Sequence, residues 1–112
     1  MSVTYTSGTW APLPGSEDAF VAAWEEFAAW ASSMPGAGRL QLVRNLHEPG
    51  RFVSFGAWGS LEQVWAWKTC SEFRDRMAQV LRHVDDFQPA ELSLVASAEH
   101  GAISHETTDA LI

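Results

Sequence analysis

Two short alternating runs, joined by a turn and flanked on both sides by helix-like patterns, constrain this chain more than any other feature. In residues 39–47, Leu40, Leu42, Arg44 and Leu46 fall on one face of an extended chain, and Gln41, Val43, Asn45 and His47 on the other. A period of two is the signature of a β-strand. Glu48-Pro49-Gly50-Arg51 follows, with Pro and Gly in turn positions. Residues 52–58 then alternate again, with Phe52, Ser54, Gly56 and Trp58 opposite Val53, Phe55 and Ala57. An antiparallel hairpin is expected. Gly56 should leave a gap beside Trp58 that admits a neighbouring backbone or a ligand.

Helical patterns bracket this hairpin. Ser16 occupies an N-cap position, with Glu17 and Asp18 in the first turn. Phe20, Ala23, Trp24, Phe27, Ala31 and Met34 then form one apolar stripe, which Pro35 and Gly36 end. After the hairpin, Ser60-Leu61-Glu62-Gln63 matches a capping box. A short helix runs to about Lys68, breaks at Thr69-Cys70-Ser71, and resumes with Phe73, Met77, Val80, Leu81 and Val84 inward. Residues 3–11, rich in Thr, Tyr and Trp, predict a first strand. Pro89 is read as preceding a last strand over residues 91–98. The order βαββαβ is the α+β, ferredoxin-like plan: a four-stranded antiparallel sheet with helices on one face. The opposite sheet face still carries apolar residues and needs a cover. A second copy of the sheet would supply it, so a homodimer is expected. Residues 1–98 are read as the domain. Residues 99–112 lack strong periodicity and are read as a tail, flexible or packed on the partner subunit.

Composition narrows the function classes. The 112 residues are one domain's worth of chain, and 46% are apolar, enough for a packed core. Seven basic residues against 14 acidic give a net charge of −7, with no run of Lys or Arg. Neither a nucleic acid nor an anionic membrane is an expected partner. No segment approaches the ~20 apolar residues of a membrane-spanning helix. No secretory signal pattern is visible, and Cys70 is the single cysteine. The expectation is a soluble cytoplasmic protein without an internal disulfide. Six tryptophans, at positions 10, 24, 30, 58, 65 and 67, stand out. Most suit a core or an interface. Trp65 and Trp67, two apart on a helix, cannot share a face, so one turns inward and the other meets a subunit or a ligand.

The stretch Arg51-Phe52-Val53-Ser54-Phe55-Gly56-Ala57-Trp58-Gly59-Ser60 is followed by an amphipathic helix, then Ser71-Glu72-Phe73, then Val84-Asp85-Asp86-Phe87-Gln88-Pro89. In order and spacing it resembles the antibiotic biosynthesis monooxygenase family, over residues 3–98. The resemblance implies a dimeric α+β barrel. The family includes cofactor-free oxygenases that turn polycyclic phenols into quinones, and haem-degrading oxygenases; related dimeric barrels include polyketide cyclases. Trp58, Ser60, Trp67 and Phe73 fit the haem-degrading pattern. Cys70 stands where that branch has Ser, Met77 where it has its His ligand, and Gly8 about where it has Asn. Without the imidazole the expected axial ligand is missing, so haem degradation is disfavoured.

A cofactor-free oxygenase needs a dry, flat cavity, a group that generates or stabilises the substrate anion, and a polar contact for the oxygen intermediate. Trp58, Phe73, Met77 and Trp65 are candidate substrate-binding residues, and the resemblance singles out Trp67 for ligand contact. Arg44 lies among leucines, where a guanidinium needs a partner: an ion pair across the dimer, or a substrate phenolate. Asn45, on the opposite face, offers a bond to a substrate oxygen. His83 and His47 are candidate bases because imidazole titrates near neutrality. His47 abuts a turn, and His83 suits a helix C-terminus. His100 and His105 lie in the tail. Tyr5 reads as strand packing, and Cys70 has only Lys68 nearby as a basic neighbour. No metal and no organic cofactor is expected. The reading is a small homodimeric monooxygenase acting on an aromatic or polyketide-type substrate with O2. A cyclase of the same fold, or a non-catalytic small-molecule-binding dimer, is the alternative.

Overall fold

Residues 3–105 are described by a computed structural model. The chain runs β1 (Thr4–Pro12), α1 (Glu17–Ala31), β2 (Ala37–Arg44), β3 (Phe52–Trp58), α2 (Leu61–Thr69), α3 (Ser71–Leu81), β4 (Val84–Ser93), β5 (Ala96–Glu99) and β6 (Ala102–His105). The first four strands to be counted in the main sheet, β1 to β4, pair antiparallel in the order β2-β3-β1-β4. This is the expected α+β, ferredoxin-like arrangement, with β5 and β6 added as a separate hairpin.

The register sets which residues face the helices. Trp10, Phe52 and Trp58 lie on the covered side and are buried with Phe20, Phe27, Val64, Trp67 and Val80. Each such side chain contributes about 1.5–3 kcal/mol on burial. The opposite face carries Tyr5, Val43, Val53, Phe55 and Leu92, placed together by the pairs Val43–Val53 and Tyr5–Leu92. Of these, Val43, Val53, Phe55 and Leu92 are exposed large apolar side chains.

The helix breaks follow local chemistry. Cys70 is extended (φ −69°, ψ 156°) and separates α2 from α3 where the sequence indicated a break. Ser60 caps α2, its Oγ accepting from the Gln63 backbone N–H at 3.1 Å. The Gln63 carboxamide lies against Gly36 and Gly59, so that a Cβ on either glycine would collide with it. Gly36 also has φ +86°, which favours glycine at the turn into β2.

Several boundaries differ from expectation. Ser16 is the N-cap of α1, but its side chain makes no capping bond; its backbone carbonyl accepts from Phe20 N–H instead. Helix α3 ends at Leu81, so Val84 opens β4 and Leu81 is exposed rather than part of the buried stripe. Strand β4 starts seven residues before the expected Glu91 and carries Pro89 in its interior, opposite Gly8. It is an edge strand, which tolerates a residue without an N–H on its open side. Strand β2 stops at Arg44, and Leu46 beyond it is 88% exposed.

The chain after Ser93 also departs from the expected continuous strand. Leu94 N–H bonds the Val3 carbonyl at 2.9 Å, and β5 and β6 then form a hairpin around His100 (φ 52°) and Gly101 (φ 84°). Positive φ at both central residues is the geometry that suits a two-residue hairpin loop. All eight strand residues of this hairpin are exposed. The part of the expected tail beyond residue 105 lies outside the described residues. Among the described residues, no helix is long and apolar enough to cross a membrane.

Candidate functional site: an aromatic cavity under the helices

A cavity of about 240 Å³ lies between the covered face of the sheet and the three helices. It arises from a size mismatch across one row of the sheet. Ser54, Gly8 and Pro89 stand side by side on β3, β1 and β4. These residues form a low floor, while Trp10, Trp24, Phe27, Trp67, Phe73 and Phe87 stand around it. Gly8 is essential to the space. A Cβ there would lie 2.8 Å from Phe87 Cε1, 2.9 Å from Trp10 Nε1 and 3.0 Å from Ser54 Oγ. A longer side chain at Gly8, such as the Asn of the haem-degrading pattern, has no room in this arrangement.

The gap expected at Gly56 is filled. Leu40, its partner in register, places its side chain there, with the Arg39 carbonyl behind it. The open space is instead two residue pairs along, on the same face, at Gly8 and Ser54.

The walls are fixed by aromatic contacts. Trp10 stacks on Phe87 with centroids 3.9 Å apart. Trp58 stacks on Trp67 at 4.6 Å, and Phe73 meets Trp67 edge-on at 5.0 Å. Two of the indoles are also pinned by hydrogen bonds: Trp10 Nε1 donates to Ser54 Oγ at 2.9 Å, and Trp58 Nε1 to Thr6 Oγ1 at 3.1 Å. Trp67 differs. Its Nε1 is buried and has no hydrogen-bond partner among the described residues. An unpaired buried donor costs about 1–3 kcal/mol, so this group calls for an explanation.

The residues singled out from sequence divide into two sets. Trp67, Phe73 and Met77 line the cavity, and Trp58 backs Trp67 from behind. Arg44, Asn45, Trp65 and His83 are not among the lining residues. Arg44 ends β2, exposed, with its guanidinium 4.9 Å from the Phe52 ring centroid. Asn45 shapes the β2–β3 turn, its Oδ1 accepting from the backbone N–H of His47 (2.8 Å) and of Glu48 (3.1 Å). His47 lies in that turn, exposed. Trp65 is 51% exposed, on the face of α2 away from Trp67. His83 links α3 to β4, its carbonyl accepting from Leu13 N–H at 2.9 Å.

Sequence reasoning missed Gly8, Trp10, Ser54 and Phe87 as site residues, and Lys68. An isolated glycine inside a strand was the available signal for Gly8. Lys68 lines the cavity beside Trp67, and its Nζ sits 3.2 Å from Glu91 Oε2. Both side chains are partly exposed, so the pair contributes at most about 1 kcal/mol. Among the described lining residues, none is a carboxylate or an imidazole. Among the described residues, no group of three or more His, Cys, Asp or Glu is placed to hold a metal ion. The arrangement can bind a flat apolar molecule and orient it between rings.

The chain is thus a small α+β protein with a ferredoxin-like sheet and an aromatic cavity beneath its helices. The family model for antibiotic biosynthesis monooxygenases matches residues 7–79, and the chain belongs to that family. Solved structures of the same fold include a candidate antibiotic biosynthesis monooxygenase from Chloroflexus aurantiacus. It is 24% identical with a TM-score of 0.70, over 89% of this chain and 100% of that one. Another candidate, from Bordetella bronchiseptica, is 15% identical with a TM-score of 0.74, over 82% and 96% of the two chains. A variant of SnoaB, a cofactor-independent oxygenase from Streptomyces nogalater, is 15% identical with a TM-score of 0.71, over 81% and 90%. Among curated proteins, none matches the sequence.

Proposed function

We propose that this protein is a cofactor-independent monooxygenase that oxidises an aromatic or polyketide-type phenol with O2. The carrying observation is the cavity itself, with aromatic rings standing around a floor opened by Gly8. Family membership and the fold shared with a cofactor-independent oxygenase support the reaction class. The proposed reaction converts a ring C–H of the phenol, the CH2 carbon of its keto tautomer, to a carbonyl while the phenol C–OH becomes the second carbonyl of the quinone: one atom of O2 enters the product and the other leaves as water. The electrons come from the substrate anion, which reduces O2 directly. The protein's part is to hold the ring flat, exclude water and meet the developing negative charge.

Trp67 is the proposed contact residue, with Trp58, Phe73 and Met77 shaping its surroundings. Its free N–H is a donor in search of an acceptor. Because the nitrogen is buried, a substrate oxygen reaches it only after a neighbour moves; flexible Met77 is suited to yield. Size also selects. About 240 Å³ is below the roughly 300–1,000 Å³ of sites for larger ligands, which favours naphthol-sized substrates over extended polycycles.

The functional unit is proposed to be a homodimer. A second copy would cover Val43, Val53, Phe55 and Leu92, and the β5–β6 hairpin would pack on it. Sedimentation showing only monomer from micromolar to millimolar concentration would exclude this.

The lack of a carboxylate or imidazole among the described lining residues favours one rival, a non-catalytic binding protein that leaves O2 untouched. An oxygen electrode separates them. With metal-stripped protein and naphthol- and anthrone-type phenols, the oxygenase consumes O2 and yields a quinone. Binding of the same phenols without uptake would overturn the oxygenase reading.

A further inference from the structure

We infer that Lys68 anchors an acidic oxygen of the ligand, and that Glu91 holds the same ammonium group while the cavity is empty. The inference rests on the reading of the cavity as an aromatic-binding site, and adds the charge of its ligand: a flat aromatic carrying one carboxylate or phenolate group at its edge.

Lys68 is the single ionisable residue among those described as lining the cavity. It follows Trp67 at the end of α2, so the indole and the ammonium group are offered from the same turn of helix. The partly exposed side chains of Lys68 and Glu91, 26% and 34%, place the pair at the rim. A ring between the aromatic walls would thus present its edge to Lys68.

The partner of Lys68 is also informative. Among the described residues, the other two ion pairs join residues three or four apart, Glu48–Arg51 and Glu72–Arg76. Lys68–Glu91 spans 23 positions and ties α2 to β4 across the rim. Glu91 stands two residues beyond Pro89, on the same strand face and opposite Thr6. A ligand carboxylate at the rim would offer Lys68 the same chemistry as Glu91, so the exchange conserves one charge-assisted contact. The chain as a whole carries a net charge of −7 and repels anions at long range. An acidic ligand therefore needs a local cation, and Lys68 is the one at the cavity.

A purely structural clip between α2 and β4 predicts something different from an anchor. Removing either member of a clip has the same effect, whereas Lys68 and Glu91 oppose each other if they compete for one ligand. The test is calorimetric titration at neutral pH with 2-naphthoate and its neutral counterpart 2-naphthamide. The proteins are the wild type, Lys68→Met and Glu91→Gln, each checked for native circular dichroism. The wild type should bind 2-naphthoate roughly tenfold tighter than the amide, a difference of about 1.4 kcal/mol. Lys68→Met should abolish that preference while keeping amide affinity. Glu91→Gln should strengthen naphthoate binding severalfold and leave the amide unchanged. Added salt should erode the wild-type preference. Equal affinity for the two probes in the wild type, or naphthoate affinity moving the same way in both variants, overturns the anchor but not the aromatic cavity. Failure of both probes to bind the wild type overturns the two together.

Discussion

Trp58 and Trp67 stack on each other at 4.6 Å and are both buried, yet their indole N–H groups are in opposite situations. Replacing either by Phe removes the same atoms, so the transfer part of the packing loss largely cancels between the two variants. The polar parts do not cancel. Trp58→Phe loses the bond to Thr6 Oγ1, worth about 0.5–1.5 kcal/mol. Trp67→Phe loses no bond and removes an unpaired buried donor, recovering about 1–3 kcal/mol. Trp58→Phe should therefore be less stable than Trp67→Phe by roughly 1.5–4.5 kcal/mol. Urea unfolding followed by far-ultraviolet circular dichroism measures this without relying on tryptophan emission. Protein concentration must be fixed, because a dimer's stability depends on it. With a slope of about 1–3 kcal/mol per molar urea, the two midpoints should differ by about 0.5 M or more. If Trp67→Phe loses as much stability as Trp58→Phe, the hydrogen-bond assignment behind the proposed role of Trp67 is wrong.

Gly8→Ala should cost about 1–3 kcal/mol, because its methyl would press on Phe87, Trp10 and Ser54, and it should also weaken binding of 2-naphthol. Urea unfolding and calorimetry check the two effects separately. Ser54→Ala removes the acceptor of the Trp10 N–H and should destabilise by about 1–3 kcal/mol, read from the same unfolding curves. Arg44→Ala and His83→Ala should leave 2-naphthol affinity within twofold of the wild type, roughly 0.4 kcal/mol, since neither residue lines the cavity. A larger loss by calorimetry would return either residue to the binding site.

The central hairpin was legible because alternation and a Pro-Gly turn are local signals, and β2 and β3 carry both. The break at Cys70 was legible for the same reason, from the helical phase on either side. Strand β4 was misjudged because Pro89 reads as a breaker locally; only the sheet order makes it an edge strand, where a missing N–H is harmless. The β5–β6 hairpin hides in a stretch whose periodicity is weak, and His100-Gly101 is a less recognisable turn than Asn-Gly. The site shows the same division between local and long-range information. Phe73 and Met77 follow from helical spacing, and Trp67 from the family resemblance. The choice between Gly8 and Gly56 depends on what stands across the sheet: Leu40 fills one gap, and Ser54 leaves the other open. Lys68 acquires meaning only through Glu91, on another element of the fold.

The most direct test of the account is a labelling experiment with isotopically heavy O2, metal-stripped protein and a naphthol that the protein binds. It should be run beside Met77→Trp, which fills the cavity from α3 and whose fold is verified by circular dichroism. The account predicts one labelled oxygen atom in the quinone formed by the wild type, and loss of that product in Met77→Trp. Unlabelled product, or undiminished turnover with the cavity filled, would contradict it.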